Sequence, residues 1–163
     1  MILVALALAA QLANPGFERG LDGWRTEGHR GMGVGIDDNR TYTTRQSAEG
    51  ERYISMGWRA RNRAPDDATQ RLFQRIDARR YRGRTIRVSA QTKAPAYAQG
   101  FGSLSVSAGT ARARTGIAAS ENWRLHAVTL RVPHDAREIE ISFQVEATQA
   151  QLSVDDVRLD VLR

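Results

Sequence analysis

The C-terminal segment 151–162 alternates apolar and polar residues, and this spacing restricts what the chain can fold into. Successive side chains of a strand point to opposite faces, so such a segment buries one face and leaves the other in water. The pattern recurs in segments 85–93, 101–108, 125–132 and 138–147, which are separated by short turn sequences. No stretch after the first ten residues keeps the 3.6-residue period of a helix. The sequence therefore predicts an all-β fold.

The alternation also predicts which side chains face the core. In segment 85–93, Ile86 and Val88 point inward while Arg87 points outward. Segment 138–147 places four apolar side chains on one face: Ile139, Ile141, Phe143 and Val145. In segment 52–59, Tyr53 points to the face opposite Ile54. The stretch 109–120 is small and polar, and no strand is predicted there.

Size and composition indicate one soluble globular domain. The chain has 163 residues, of which 41% are hydrophobic and 26% are charged. This length suits one domain of about 150 residues. Cysteine is absent, which excludes a disulfide framework, a thiolate metal site and a cysteine nucleophile. We therefore expect residues 14–163 to form a single β-sandwich domain.

An apolar run precedes this domain. Residues 2–10 are all hydrophobic, which is too short a stretch to span a bilayer. It fits the apolar region of a signal peptide, with small residues at Ala7, Ala9 and Ala10 for a cleavage site. Residues 1–13 are thus interpreted as a signal peptide or an apolar N-terminal segment. The first interpretation predicts export to the periplasm or the extracellular space; the alternative is a buried first strand or helix.

The chain is strongly basic, and its cations are almost all arginine. The net charge is +6, and Lys93 is the sole lysine among 24 basic residues. Two explanations remain open. The bias can reflect GC-rich codon usage, or it can serve a surface that binds anions, because the planar guanidinium pairs bidentately with carboxylate or sulfate. The second explanation predicts an anionic polysaccharide or envelope surface as a partner.

Motifs at both ends and in the middle resemble one family of domains. The chain opens with Asn14-Pro15-Gly16-Phe17-Glu18 and Gly20-Leu21-Asp22-Gly23-Trp24, and closes with Val154-Asp155-Asp156-Val157. Between them lie segments 73–90 and 123–133, the latter a tryptophan, a strand and then Val132-Pro133. In order and spacing these motifs resemble the galactose-binding-like jelly rolls, including carbohydrate-binding modules of families 4, 9 and 22. The resemblance implies a jelly-roll β-sandwich of two antiparallel sheets.

The resemblance also implies a structural calcium ion. Many such modules hold Ca²⁺ where the N-terminal motif meets the last strand, and the matching positions here are Glu18, Asp155 and Asp156. Ca²⁺ takes six to eight oxygen ligands from carboxylates and carbonyls, so the residue types suit it. The alternative is that one aspartate accepts hydrogen bonds from a turn while the other is solvated. As neighbours on a strand, the two aspartates are expected to face opposite ways.

A carbohydrate ligand, which the resemblance implies, would need exposed aromatic rings and polar groups beside them. Tyr53 is the preferred platform because it points away from Ile54, and Tyr97 lies on a loop. Trp58 shares a face with Ile54, so a core position competes with a binding role. Trp24 and Trp123 match positions that look structural in the family, and both are expected in the core. Candidate ligand-binding residues are therefore Tyr53, Trp58, Tyr97 and Arg87.

Catalysis and nucleic-acid binding find little support in the sequence. Catalytic and metal-ligand motifs are absent, and the three histidines fall in different segments. Arginines cluster at 75–87, but only Tyr81 lies among them, whereas single-strand binders interleave aromatics with cations. The sequence thus predicts a non-catalytic, exported module that binds a glycan or envelope polysaccharide. The alternative is a protein–protein interaction or structural accessory domain without a sugar ligand.

Overall fold

The computed structural model describes residues 12–28, 32–38, 52–58, 69–95, 101–146 and 151–162. Every regular element in these residues is a strand, which confirms the all-β prediction. Within the same residues no helix could cross a membrane. The ten strands are β1 (Arg25–Gly28), β2 (Met32–Asp38), β3 (Arg52–Trp58), β4 (Thr69–Asp77), β5 (Thr85–Ala94), β6 (Phe101–Ala108), β7 (Ala111–Ile117), β8 (Ser120–Arg131), β9 (Glu138–Glu146) and β10 (Gln151–Leu162).

The strands form two five-stranded antiparallel sheets. One sheet has the order β1-β4-β9-β6-β7 and is called here the β9 sheet, after its central strand. The other has the order β2-β3-β10-β5-β8 and is called the β10 sheet. Every pair is antiparallel, and most neighbours are distant in sequence. This arrangement confirms the predicted jelly-roll β-sandwich.

The core lies between the sheets and is built from the predicted inward faces. Ile139, Ile141, Phe143 and Val145 of β9 are all fully buried. On β5, Ile86 and Val88 are also fully buried, whereas Arg87 between them is exposed. Both patterns confirm the alternation predicted from sequence. Apolar area removed from water in this layer stabilises the fold.

The N-terminal motif closes one end of the core. Trp24 is 5% exposed, its ring lies 5.1 Å from that of Phe17 and 6.2 Å from that of Phe143, and its indole Nε1–H donates to the Asn14 carbonyl. The Asn14 side chain bonds to the backbone of Arg19 and Gly20. Asn14 has φ 47°, a left-handed conformation that asparagine tolerates better than most residues. The motif is therefore structural, and the core prediction for Trp24 is confirmed.

Leu12 and Ala13, which sequence assigned to the N-terminal segment, already contact the domain. Leu12 is 9% exposed and belongs to the core. The backbone of Ala13 exchanges two hydrogen bonds with the Gln74 side chain, at 2.8 and 3.0 Å. Residues 1–11 lie outside the described part of the chain, so the signal peptide stays a prediction.

A strand that the sequence did not predict is β7. Its exposed positions are Arg112, Arg114 and Gly116, and before Ile117 its inward residues are small, so it lacks the run of large apolar side chains that marks a buried strand. It lies at the edge of the β9 sheet and pairs with β6 through a turn in which Gly109 has φ 58°. Edge strands need few core residues, which explains the missed prediction. Likewise, β8 begins at Ser120 rather than at residue 125.

Candidate functional site

The outer face of the β10 sheet carries a cluster of large side chains outside the core. Tyr53 faces outward from β3, as predicted, while its neighbours Ile54 and Met56 are buried in the core. The Tyr53 ring packs edge-on against Trp123 of β8, with ring centroids 5.3 Å apart and planes at 83°. Lys93 of β5 places its ammonium 5.6 Å from the Tyr53 ring and 5.3 Å from that of Trp123. We call Tyr53, Lys93 and Trp123 the aromatic cluster.

The two rings meet over strands that separate them in the sheet. β10 and β5 lie between β3 and β8, so the two outer strands are about 14 Å apart at ordinary strand spacing. Ring centroids only 5.3 Å apart show that Tyr53 and Trp123 reach toward each other across this face. Tyr53 is consequently only 5% exposed, so its ring is not the open platform that the sequence suggested. The ring that stays partly accessible is that of Trp123.

Trp123 was expected in the core, and that expectation is wrong. It is only partly buried and does not belong to the core. The family resemblance suggested a structural position, but strand pairing points the other way. Gln91 of β5 lies four residues after the exposed Arg87, so it shares the outer face, and it pairs with Leu125 of β8. Trp123 lies two residues before Leu125 and therefore shares its face.

Two donors of the aromatic cluster have no acceptor among the described residues. The Trp123 Nε1–H is buried and makes no hydrogen bond there. The Lys93 ammonium contacts both rings but forms no ion pair with a carboxylate of the described chain. Its cross-strand neighbour on β10 is Ser153, which is uncharged. The ammonium can therefore donate to a ligand that carries oxygen acceptors, and the indole N–H is a second donor in the cluster whose hydrogen bond is not made within the described residues.

A polar groove continues along the same face. It has a volume of about 440 Å³ and includes Arg87, one of the predicted ligand-binding residues. Arg87 is exposed and pairs across the strands with Asp160. Leu125, which is 57% exposed, adds an apolar surface to the wall. The complete lining is Arg87, Ser89, Gln91, Leu125, Asp156, Arg158 and Asp160.

The two aspartates of the closing motif lie beside the N-terminal motif. The register of β10 against β5 shifts between Asp155 and Arg158, and Asp156 has φ 48°. This β-bulge inserts an extra residue and breaks the alternation. The expectation that the aspartates face opposite ways is therefore wrong. The Oδ1 atoms of Asp155 and Asp156 lie 3.9 and 4.0 Å from the point that a Cβ at Gly16 would occupy.

The third predicted calcium ligand is held differently. Glu18 is exposed, and its Oε1 accepts a hydrogen bond from the backbone N–H of Arg52 at 3.2 Å. Among the described residues, no three histidine, cysteine, aspartate or glutamate side chains lie close enough together to hold a metal. Asp155 is fully buried, and the Pro15 carbonyl approaches β10 by accepting from Val157 at 3.0 Å. Carboxylate and backbone oxygens thus meet here, and this donor chemistry fits Ca²⁺.

Two predicted ligand-binding residues lie outside the described side chains. The backbone of Trp58 belongs to β3 and pairs with Met32, but its side chain is outside the described set. Tyr97 falls between the described ranges 69–95 and 101–146. Both remain predictions.

The outer face of the β9 sheet is built differently, from paired charges. Arg71 and Arg75 lie over the Phe73 ring, at 4.6 and 5.4 Å from its centroid. Both guanidiniums also bind the Glu140 carboxylate, and the Arg75 contact measures 2.8 Å. The hydrogen bond and the charge of Glu140 raise the pKa of Arg75. Both cations that cover Phe73 therefore share the carboxylate of Glu140 as a partner.

No family model matches the chain, and no curated protein matches its sequence. Solved structures match its fold. The module TmCBM61, solved in complex with β-1,4-galactotriose, superposes with a TM-score of 0.69 at 19% identity, covering 93% of this chain and 97% of the module. The CBM22-1-GH10 modules of Clostridium thermocellum xylanase 10B, solved with xylohexaose, superpose with a TM-score of 0.64 at 18% identity. That match covers 91% of this chain and 28% of the xylanase chain. These likenesses confirm the fold of carbohydrate-binding jelly rolls.

The same fold also occurs within a larger enzyme. The enzymatically active domain of tailspike protein 4 from bacteriophage CBA120 superposes with a TM-score of 0.71 at 14% identity. The match covers 93% of this chain but 21% of the tailspike chain. The architecture thus occurs both in chains solved as single modules and in parts of longer chains. The function therefore has to be inferred from the site and not from the fold.

Proposed function

We propose that this chain is a non-catalytic carbohydrate-binding module whose site is the outer face of the β10 sheet. The observation that carries the proposal is the aromatic cluster. Tyr53 and Trp123 are large side chains that point away from the core and pack on each other instead. Ligand pockets are commonly lined by aromatic side chains together with a few polar groups. The fold of the neighbours supports a saccharide as the ligand.

The chemistry of the face suits a sugar chain. The accessible part of the Trp123 ring offers an apolar plane for the C–H face of a pyranose, and Tyr53 holds that ring in place edge-on. Hydroxyl groups can pair with the polar side chains of the groove, among them Gln91 and Ser89. Gln151, which donates to the Ser55 hydroxyl at 3.1 Å, extends the polar surface across β3. Binding sites commonly combine apolar walls with a few polar groups in this way.

A binding role without catalysis is supported by the state of the acidic residues. A glycosidase needs two carboxylates that flank the bond to be cleaved. Asp155 is fully buried, and its Oδ1 accepts a hydrogen bond from the N–H of Asp156 at 2.8 Å. It is therefore placed to hold the bulge together rather than to reach a substrate. Export to the periplasm or the extracellular space is part of the proposal and is supported by the apolar residues 2–10, which fit the apolar region of a signal peptide.

A protein-binding role has less support from the surface. Among the described residues, the exposed large hydrophobic side chains are Leu125 and Leu162. Leu125 lies in the wall of the polar groove, and Leu162 ends β10. A docking surface would require a contiguous apolar patch. The accessory-domain alternative therefore rests on no specific feature of this face.

The proposal is tested by a glycan-binding screen with the full chain. Immobilised β-1,4-galactan, xylan, cellulose, mannan and uronic acid polymers are compared at low and raised salt. We expect saturable binding to at least one polysaccharide, and competition by its soluble oligosaccharide. Failure to retain the protein on any of them, with a normal cooperative melting curve, would contradict a carbohydrate function.

We also propose a structural calcium ion at the junction of Asp155, Asp156 and the N-terminal motif. Bound Ca²⁺ would join the bulge of β10 to the backbone around Gly16 and so stabilise the folded state. A ligand present at about 100 times its dissociation constant adds about 2.7 kcal/mol to the free energy of unfolding. We therefore expect a chelator to lower Tm by about 5–10 °C, measured by differential scanning calorimetry.

Asp156→Asn is the variant that tests whether the Asp156 carboxylate binds the calcium ion. Asparagine tolerates the left-handed conformation of residue 156 but carries no charge. We expect this variant to fold and to lose most of the calcium-dependent rise in Tm. Identical melting temperatures of the wild type with calcium and with chelator would rule out the ion.

A further inference from the structure

We infer that the glycan bound by this face is acidic, and that Lys93 binds the carboxylate of a uronic acid residue beside Trp123. This inference rests on the proposed function, because it names the class of sugar that the same site takes. It depends on three observations: the surroundings of Lys93, the contrast with the opposite sheet, and the second unpartnered donor in the aromatic cluster.

The first observation is where the ammonium lies. Lys93 is partly buried, and its Nζ lies over two rings that contact each other, 5.6 Å from the centroid of Tyr53 and 5.3 Å from that of Trp123. Ring faces attract a cation, but they do not accept its three hydrogen bonds as water or a carboxylate would. In the described part of the chain it has no carboxylate partner, and Ser153 lies across from it on β10. An ammonium that lies over two rings and forms no ion pair with the described chain favours an anion as its partner.

The second observation comes from the other face of the same molecule. Over Phe73, the guanidiniums of Arg71 and Arg75 also contact an aromatic ring, but both are bound by Glu140. On that face the protein itself supplies the aromatic ring, the cations that cover it and the carboxylate that binds them. At Lys93 the ring and the cation are present, and the described chain supplies no carboxylate. A uronate would complete the same arrangement from outside.

The third observation is the Trp123 indole. Its Nε1–H is buried and has no acceptor in the described residues, and the Lys93 ammonium lies 5.3 Å from the same ring. An indole N–H only donates, and so does an ammonium. Two donors in one small site, both without a partner in the described chain, favour a ligand that is rich in acceptor oxygens. An ionised carboxylate has two acceptor oxygens and no donor, whereas each hydroxyl of a neutral sugar brings a hydrogen as well.

The charges of the groove are balanced, because Arg87 and Arg158 share it with Asp156 and Asp160. Arg87 lies on the same strand and the same face as Lys93, about 20 Å away at six residues' distance. It forms no ion pair with the described residues, although Asp160 lies across from it. Arg87 thus faces an acidic residue across the strands, whereas the residue across from Lys93 is Ser153. We assign the uronate to Lys93, and longer-range attraction of the polymer to Arg87.

The test compares two probes that differ only at the carboxyl group: oligogalacturonate and its fully methyl-esterified form. A second pair is glucuronoxylan and its carboxyl-reduced form. Affinity is measured by isothermal titration calorimetry for the wild type, Lys93→Gln and Arg112→Gln. Arg112 is the matched control, because it is an exposed cation of β7 on the opposite sheet and has no partner in the described chain.

We expect the wild type to bind the acidic form of at least one pair about tenfold or more tightly than the neutral form, as one charge-assisted hydrogen bond provides. Lys93→Gln should remove this preference, and Arg112→Gln should keep it. Equal affinities for the acidic and neutral forms, or an unchanged preference in Lys93→Gln, would overturn the inference and leave carbohydrate binding intact. Absence of binding to these probes and to every glycan of the screen would overturn the proposed function as well.

Discussion

Replacing Trp123 with alanine should weaken glycan binding by about 10- to 100-fold while the protein stays folded. The substitution removes the accessible ring of the aromatic cluster and the indole N–H that has no acceptor in the described residues. Truncating a central aromatic anchor commonly costs about 2 kcal/mol or more, which corresponds to this range. Because Trp123 lies outside the core, the loss of stability should be small. Calorimetric titration with the bound oligosaccharide and a melting curve measure the two effects separately.

Two further variants separate the parts played by neighbouring residues. Trp123→Phe keeps a ring but loses the N–H, so its affinity should fall between that of the wild type and that of Trp123→Ala. Arg114→Ala removes a large exposed side chain from the opposite sheet and should bind like the wild type. Equal affinities for all of these proteins would exclude Trp123 from the site.

Replacing Phe143 with alanine should lower the stability of the fold and leave the affinity for glycan unchanged. Phe143 is fully buried on the central strand of the β9 sheet and packs 6.2 Å from Trp24. Removing a buried phenylalanine costs about 3–5 kcal/mol, because the transfer free energy is lost and a cavity remains. For a domain of this size, Tm should fall by about 6–20 °C. Protein that is still folded at low temperature should keep its affinity for glycan, because the site lies on the outer face of the other sheet.

Leu125→Ala is the control for this prediction. Leu125 is 57% exposed, so the change should alter the free energy of unfolding by about 0.5 kcal/mol or less. A Phe143→Ala protein with wild-type Tm would show that the core is not organised around β9 as described.

The fold could be predicted because its strongest strands obey one simple rule. In β9 and β5 every second side chain is apolar, and the structure buries those residues and exposes Arg87 between them. β7 was not predicted, because an edge strand needs little apolar surface and most of its inward positions hold small side chains. Alternation therefore identifies the strands that build the core better than those that border it.

The bulge at Asp155 and Asp156 could not be read from the same rule. The sequence alternates on both sides of the pair, so no local sequence pattern indicates that the strand register shifts there. A single slip turns a side chain to the other face, and here it brings both aspartates beside Gly16. The left-handed conformation of Asp156 is compatible with its short polar side chain, but that compatibility does not identify the position in advance.

The aromatic cluster combines residues that are distant in sequence. The outward direction of Tyr53 followed from its neighbours, but its contact with Trp123 depends on the strand order β3-β10-β5-β8. Sequence alone supplied neither that order nor the reach of two rings over the strands between them. In the sequence, Lys93 stands out only as the sole lysine among many arginines. The structure gives it a role, because its ammonium contacts both rings of the aromatic cluster.

The most direct test of the account is an NMR titration that follows the tryptophan indole N–H signals. The chain has three tryptophans, and Trp123→Phe identifies the signal of Trp123. Isotope-labelled protein is titrated with the oligosaccharide that binds best in the screen. We predict that the Trp123 signal shifts in a saturable way, while that of Trp24, bonded inside the fold to Asn14, does not. A Trp123 signal unchanged at saturating ligand would contradict the assignment of the site to the outer face of the β10 sheet.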